Sequence, residues 1–173
     1  MPRLLTEGEI FLGGAVYDVE GYSWMDHEYS TSALTSDQVG WDWFSLQLND
    51  GSELMVYQIR RQDSSIDPYS SGIWIAANND ITKLKKDEFT IKVNDYWLSK
   101  ESGGNYPSSW SLEIKPLQLV LDLQPLVQDQ ELNFTYTYWE GAVRVTGVIM
   151  GVKVDGYGYV EMTGYAGTMA GEF

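Results

Sequence analysis

Trp41-Asp42-Trp43-Phe44-Ser45-Leu46-Gln47-Leu48, then Asn49-Asp50-Gly51, then Ser52-Glu53-Leu54-Met55-Val56-Tyr57-Gln58-Ile59-Arg60-Arg61 is the stretch that decides the fold. Two runs of aromatic and branched residues flank an Asn-Asp-Gly punctuation, which is the composition of a β-hairpin. Read as a type I turn closed by a glycine bulge, it pairs Leu48 with Ser52 and sets Trp43 opposite Tyr57. A two-residue Asp-Gly turn would slip the register by one and set Phe44 opposite Tyr57 instead. We take the bulged form. Side chains alternate along a strand, so Trp41, Trp43, Ser45, Gln47, Met55, Tyr57 and Ile59 share one face. Phe44, Leu46, Leu54 and Val56 share the other. The first face mixes large aromatics with a few hydrogen-bonding groups, as small-molecule pockets do. It is expected to point inward, with Trp41, Trp43, Gln47, Met55 and Tyr57 binding a ligand. One of Arg60 and Arg61 is expected to pair with an acid such as Asp42.

Working outward, short β-prone runs alternate with turn signals along the whole chain. Glu7–Phe11 and Val16–Gly21 flank Gly13-Gly14. Gly72–Ala77, Glu88–Asn94, Trp110–Ile114, Gln118–Leu123, Glu131–Tyr138, Gly141–Met150 and Tyr157–Tyr165 complete the set. The expectation is one all-β domain over residues 1–173, an antiparallel barrel of about ten strands whose closure removes exposed edges. Gly156, Gly158 and Gly164 read as bends where that barrel closes. Lys83–Glu88 reads as a solvated turn and Ser99–Ser109 as the longest loop.

Composition narrows the function. A formal charge of −14 over 173 residues disfavours nucleic acid, which needs clustered Lys and Arg. With no Cys and a single His, neither a disulfide framework nor a zinc centre is expected, and no metal or other cofactor is called for. No apolar run approaches the ~20 residues of a membrane span. The N-terminus lacks the apolar core of a signal peptide, and the compartment stays open. Seven Trp and twelve Tyr exceed what a plain core requires and suit pocket walls.

Several motifs carry a family resemblance. They are Trp24-Met25-Asp26-His27-Glu28-Tyr29-Ser30, Gly40-Trp41-Asp42-Trp43-Phe44 and Asp50-Gly51-Ser52-Glu53-Leu54-Met55. Tyr106-Pro107-Ser108-Ser109-Trp110, Tyr138-Trp139-Glu140-Gly141-Ala142 and Gly158-Tyr159-Val160-Glu161-Met162-Thr163-Gly164-Tyr165 extend the match in order. Together they resemble hydroxyneurosporene synthase, the carotenoid 1,2-hydratase family that includes the AttH-like proteins. That resemblance implies a lipocalin-like barrel, the C-terminal one of a pair, so a second lipocalin-like domain is an expected partner. It also implies a small apolar ligand of isoprenoid or polyene type held in the barrel.

Adding water to a trisubstituted alkene needs an acid to protonate carbon and a base to receive the proton of the incoming water. An imidazolium or a carboxylic acid kept neutral by an apolar pocket can supply that proton. Aromatic faces stabilise the developing cation. Asp26-His27-Glu28 and Glu140 offer these groups, so Asp26, His27 and Glu140 are the candidate catalytic residues. In a regular strand Asp26 and Glu28 share one face while His27 points to the other, so His27 needs a partner from elsewhere, Glu140 or Tyr57. Trp139 joins the ligand-binding set. The enzyme reading stands beside a plain binding module and a carbohydrate-binding sandwich with exposed Trp platforms.

Overall fold

The structure, a computed structural model, describes residues 1–26 and 34–169. His27 and Glu28 lie outside the described residues. The chain forms two compact units, Met1–Thr31 and Ser32–Phe173.

The first unit is a hairpin of β1 (Leu4–Leu12) and β2 (Ala15–Ser23), paired from Leu4 opposite Ser23 to Leu12 opposite Ala15. Gly13 and Gly14 turn it with φ of 59° and 82°, values that L side chains resist. Alternation gathers its acidic residues on one face, together with Leu5, Phe11, Val16 and Tyr22. The opposite face carries Leu4, Ile10, Leu12, Tyr17 and Val19 with no charge, while the acidic one sets Glu7 opposite Glu20 and Glu9 opposite Asp18.

The second unit contains β3 (Gln38–Leu48), β4 (Glu53–Arg61), β5 (Ser71–Ile75), β6 (Ile81–Lys85), β7 (Phe89–Leu98) and β8 (Asn105–Ile114). It continues with β9 (Leu119–Pro125), β10 (Glu131–Asn133), β11 (Thr137–Ile149) and β12 (Val152–Thr163). Among the described residues the helical elements are two single 3-10 turns, Lys86–Glu88 and Lys115–Leu117, so no helix is long and apolar enough to cross a membrane. All pairings are antiparallel, in the order β6-β5-β4-β3-β12-β11-β9-β8-β7, with β10 added on β11. This is the expected lipocalin-like barrel sheet.

Two observations show how far the sheet curls. Its edge strands β6 and β7 are consecutive in sequence, joined only by Lys86–Glu88. Phe44 on β3 also meets Trp110 on β8 edge to face with ring centroids 5.7 Å apart. Four strand spacings separate β3 from β8, ~19 Å in a flat sheet at ~4.8 Å each. Only strong curvature brings those rings together. Glycines on β12 permit it: a Cβ on Gly156 would lie 2.1 Å from the Gln47 carbonyl oxygen, and one on Gly158 2.4 Å from that of Ser45. These positions let β12 lie close against β3 inside the sheet, not at a seam where its edges meet.

The concave face is filled. Phe44, Leu46, Leu48, Leu54, Val56, Trp110, Leu112, Leu121, Trp139, Val143, Val145 and Val160 are all buried there, with Trp110 and Trp139 packed 6.2 Å apart. An indole buries ~150–250 Å², so at ~25 cal/mol per Å² each of these two contributes about 4–6 kcal/mol to the core. A polar plug is built around Asp42. Asp42, 3% exposed, accepts from Arg60 Nε (3.2 Å), Gln58 Nε2 (2.7 Å) and the Tyr165 hydroxyl (2.9 Å). The Arg60 guanidinium lies 3.8 Å over the Tyr165 ring and also donates to the Thr163 carbonyl. The Asp42–Arg60 pairing expected from sequence is present.

Four boundaries differ from expectation. Ile81–Lys85 is strand β6, missed because it is a short edge strand with Leu84 as its buried residue; lysines at such an edge deter unwanted pairing. Asn105–Ser109 belongs to β8 rather than to a loop. Pro107 is tolerated because it pairs with Tyr96 where the β7 register shifts and the ladder is already broken. Glu131–Tyr138 is not one strand; it splits into β10 and the start of β11, which fold back on each other. The hairpin strands of the first unit run longer at both ends than the sequence signals marked.

Candidate functional site

The Asn49-Asp50-Gly51 turn takes the bulged form. The Gly51 amide donates to the Leu48 carbonyl (3.2 Å), the Leu48 amide donates to the Ser52 carbonyl (2.9 Å), and Gly51 has φ of 86°. Trp43 is therefore opposite Tyr57. The direction of that face needs correcting. Phe44, Leu46, Leu54 and Val56 take the core, so Trp41, Trp43, Gln47, Met55 and Tyr57 stand half-buried on the convex face. Alternation forces this, because the all-apolar set fills the sealed interior better than a set carrying Gln47 and a phenol. Trp139, fully buried on the concave side with Nε1 donating to the Gln128 carbonyl (2.9 Å), does not join them.

What the convex face brings together is a transverse row. Tyr57 on β4 is opposite Trp43 on β3, Trp43 is opposite Glu161 on β12, and Glu161 is opposite Glu140 on β11. The row crosses four strands, ~14 Å at ~4.8 Å per step. It changes from aromatic to acidic along its length. Each end is held in place. The Tyr57 hydroxyl donates to the Tyr69 carbonyl (3.0 Å) and lies 3.1 Å from the Ser71 hydroxyl. Glu161 accepts from Trp41 Nε1 (2.7 Å), and Glu140 accepts from the Tyr159 hydroxyl (3.2 Å).

Further rings extend the row. Tyr138 lies 6.4 Å from Trp41, and Tyr136 stacks on Tyr138 with centroids 6.4 Å apart and planes 14° from parallel. Burial, then the charges of Glu161 and Glu140, push the Tyr138 phenol up. Burial, then the Glu140 charge and hydrogen bond, push Tyr159 up to about 12. The Tyr159 phenol donates to Glu140, while the Tyr138 phenol keeps its proton beside the negative charge of both carboxylates. Two half-buried carboxylates flanked by indole and phenol faces can handle a proton and stabilise positive charge at adjacent positions.

The other expected catalytic residues are placed differently. Asp26 accepts from Trp24 Nε1 (2.8 Å) within the first unit. His27 lies outside the described residues. Glu140, whose facing the sequence left open, stands in the row. Sequence reasoning missed Glu161 as a site residue, although Tyr157-Gly158-Tyr159-Val160-Glu161 shows period-two alternation. Its place beside Trp43 depends on pairing between β3 and β12, which no local signal announces. Among the described residues, no group of three or more His, Cys, Asp or Glu side chains is placed to hold a metal.

The sequence model of the family described as AttH-like matches residues 1–165. The chain belongs to the AttH-like family. This AttH-like chain is 27% identical over 169 residues to a protein named kievitone hydratase from Fusarium solani subsp. phaseoli, covering 94% of the chain and 47% of that relative. It also resembles the crystal structure of an AttH protein from Nitrosomonas europaea, at 33% identity and a TM-score of 0.84, covering 95% of the chain and 50% of that structure's chain. The AttH-like chain thus spans about half the length of the relatives it matches.

Proposed function

We propose that this AttH-like domain holds a small apolar, isoprenoid-like ligand against the Tyr57–Trp43–Glu161–Glu140 row and takes part in adding water across one of its C=C bonds. The observation that carries the reading is the pair of opposed carboxylates, each oriented by an aromatic donor, at the acidic end of an aromatic row. The name of the Fusarium relative, a hydratase, supports the same class of reaction.

In this reading one carboxylic acid gives its proton to the less substituted alkene carbon, where the π pair forms the new C–H bond. The tertiary cation left behind faces Trp43 and its neighbouring rings. A water oxygen forms the C–O bond, and the other carboxylate takes the proton that this water loses. The product is a tertiary alcohol, and a proton passing between the carboxylates restores the starting state. His27 and Asp26 are each proposed as a further proton-handling group.

The test is incubation of the full chain, and of the longest natural protein that contains it, with geraniol in oxygen-18 water. Incorporation of one labelled oxygen into a tertiary alcohol is the expected result. Glu140→Gln, Glu161→Gln and His27→Gln should each depress it while ligand quenching of tryptophan fluorescence stays within a few-fold. Quenching by isoprenoids with no labelled product would leave a binding module. Absence of quenching together with binding to β-glucans would favour the sugar-binding reading.

A further inference from the structure

The β1–β2 ribbon carries features that the aromatic–acidic row does not explain. Its large side chains lie in the open. Phe11 is 73% exposed and Leu12 68%, and Ile10, Val16, Tyr17 and Tyr22 are each more than half exposed. A two-stranded ribbon by itself is marginal in water and is stabilised by a third strand or a covering surface. Among the described residues β1 and β2 pair only with each other, so each presents an outer edge.

Natural sheets guard such edges with lysine, proline, a bulge or a very short strand. This ribbon uses none of these. Its pairs run from Leu4–Ser23 to Leu12–Ala15 without a register shift, and neither strand contains Lys or Pro. A long, regular edge of this kind is a template for an added strand. Strand β2 is the better template, because Tyr17-Asp18-Val19-Glu20 alternates without a break whereas β1 has Gly8 at its centre.

The two faces set the chemistry of what is added. On one face the β2 edge offers Tyr17 and Val19 and no charge. On the other, Glu7 is opposite Glu20 and Glu9 opposite Asp18, and among the described residues no cation pairs with any of the four. Arg3, at the end of that face, lies over the Tyr22 ring at 5.2 Å. Opposed like charges weaken a ribbon, so a strand that brings Lys or Arg to this face relieves the repulsion. Side chains alternate along the incoming strand as well, which places apolar residues beside Tyr17 and Val19 and basic ones beside Asp18 and Glu20. A second copy of this chain, at −14 and with the same acidic strand, lacks that complement.

We infer that the outer edge of β2 takes up an extended segment of another protein, added as a third strand in which apolar and basic residues alternate. The backbone ladder supplies affinity, and the alternation of the segment supplies specificity.

The experiment titrates the full chain with a labelled peptide of about ten residues that alternates Val and Lys, read by fluorescence anisotropy. Its block isomer, with all Val before all Lys, and an alternating Val-Glu peptide are the comparisons. The Val-Lys peptide should bind about ten-fold or more tightly than its block isomer, which carries the same charge. Methylating the backbone amides of one alternate set of its residues should abolish binding, and methylating the other set should spare it, because only one set faces β2. Asp18→Lys together with Glu20→Lys should weaken the Val-Lys peptide about ten-fold or more and admit the Val-Glu peptide instead. If amide exchange shows that this reversal melts the ribbon, Asp18→Asn with Glu20→Gln takes its place and should weaken the Val-Lys peptide several-fold. Equal binding of the two isomers, or binding indifferent to which amides are methylated, overturns the inference, since attraction between net charges then suffices. So does a chain that sediments as a dimer and returns to monomer in Val19→Lys, because a second copy then covers the ribbon. A peptide that binds this chain but not the longest natural protein containing it overturns it too, because that protein then covers its own ribbon.

Discussion

Glu140 on β11 stands directly opposite Glu161 on β12, and a different aromatic donor holds each carboxylate, Tyr159 for the first and Trp41 for the second. Like charges at opposed positions weaken a sheet by up to ~1 kcal/mol. Replacing either residue by Gln keeps a hydrogen-bond acceptor and removes the repulsion. Each variant should melt about 1–3 °C higher than wild type, while hydration of geraniol falls by about 10²-fold or more. Calorimetry beside a product assay checks both directions, and a fall in melting temperature with turnover intact would make the pair structural.

Tyr159 supplies a pH signature. Its phenol is pushed up to about 12, by burial first and then by Glu140, against ~10 in an unfolded chain. The unfolded state therefore loses this proton first as pH rises. The stabilisation is fully present below pH 10 and is lost as pH climbs through 12. Titration of phenolate absorbance should show a late-ionising class that loses one member in Tyr159→Phe. Titration of every tyrosine near pH 10 in the folded protein would contradict this.

The Asp42–Arg60–Tyr165 plug should respond asymmetrically. Arg60→Met leaves a buried carboxylate without its charge partner and should cost about 3–5 kcal/mol. Tyr165→Phe removes one hydrogen bond to that carboxylate and should cost about 1.5–3 kcal/mol. Urea unfolding of both variants makes the comparison, and a cost below about 1 kcal/mol for Arg60→Met would show that Asp42 finds other support.

Two tryptophans should separate stability from binding. Trp110→Ala opens a cavity in the sealed concave face and should cost about 3–5 kcal/mol. Trp43→Ala, on the half-buried convex face, should cost less and should remove most of the quenching by geranyl ligands. Comparable losses of stability in the two variants would mean that both faces are packed alike.

The hairpin around Asn49-Asp50-Gly51 was legible to the residue pair, because turn chemistry and alternation fix local register without help from the rest of the chain. Its direction was not. Alternation sorts residues into two sets but cannot say which set meets the core, and a Trp-rich face reads as interior until the Leu and Val set is seen to fill that space. Glu161 was hidden for a related reason. Its neighbour Trp43 is far away in sequence, and long-range pairing leaves no period in the local composition. Strand β6 was lost to its lysines and Asn105–Ser109 to Pro107, where a position at an edge or a bulge overrides the usual breaker signals.

The β3–β12 ladder has a consequence for how the chain is made. Strands β3 to β6 form one meander, and β7 to β12 form another that ends on β12; that ladder is where the two are sewn together. On the ribosome the first meander emerges with Phe44, Leu46, Leu54 and Val56 bare on one side. Strand β12 must still be synthesised before Gly156 and Gly158 can settle over β3. At ~5–20 residues per second that wait lasts about 5–20 s, long beside the ~1–10 μs in which a hairpin closes. A half-built sheet with an open edge is a sticky nascent chain, so holding by a chaperone through this interval should raise the yield of folded protein more than any help after release.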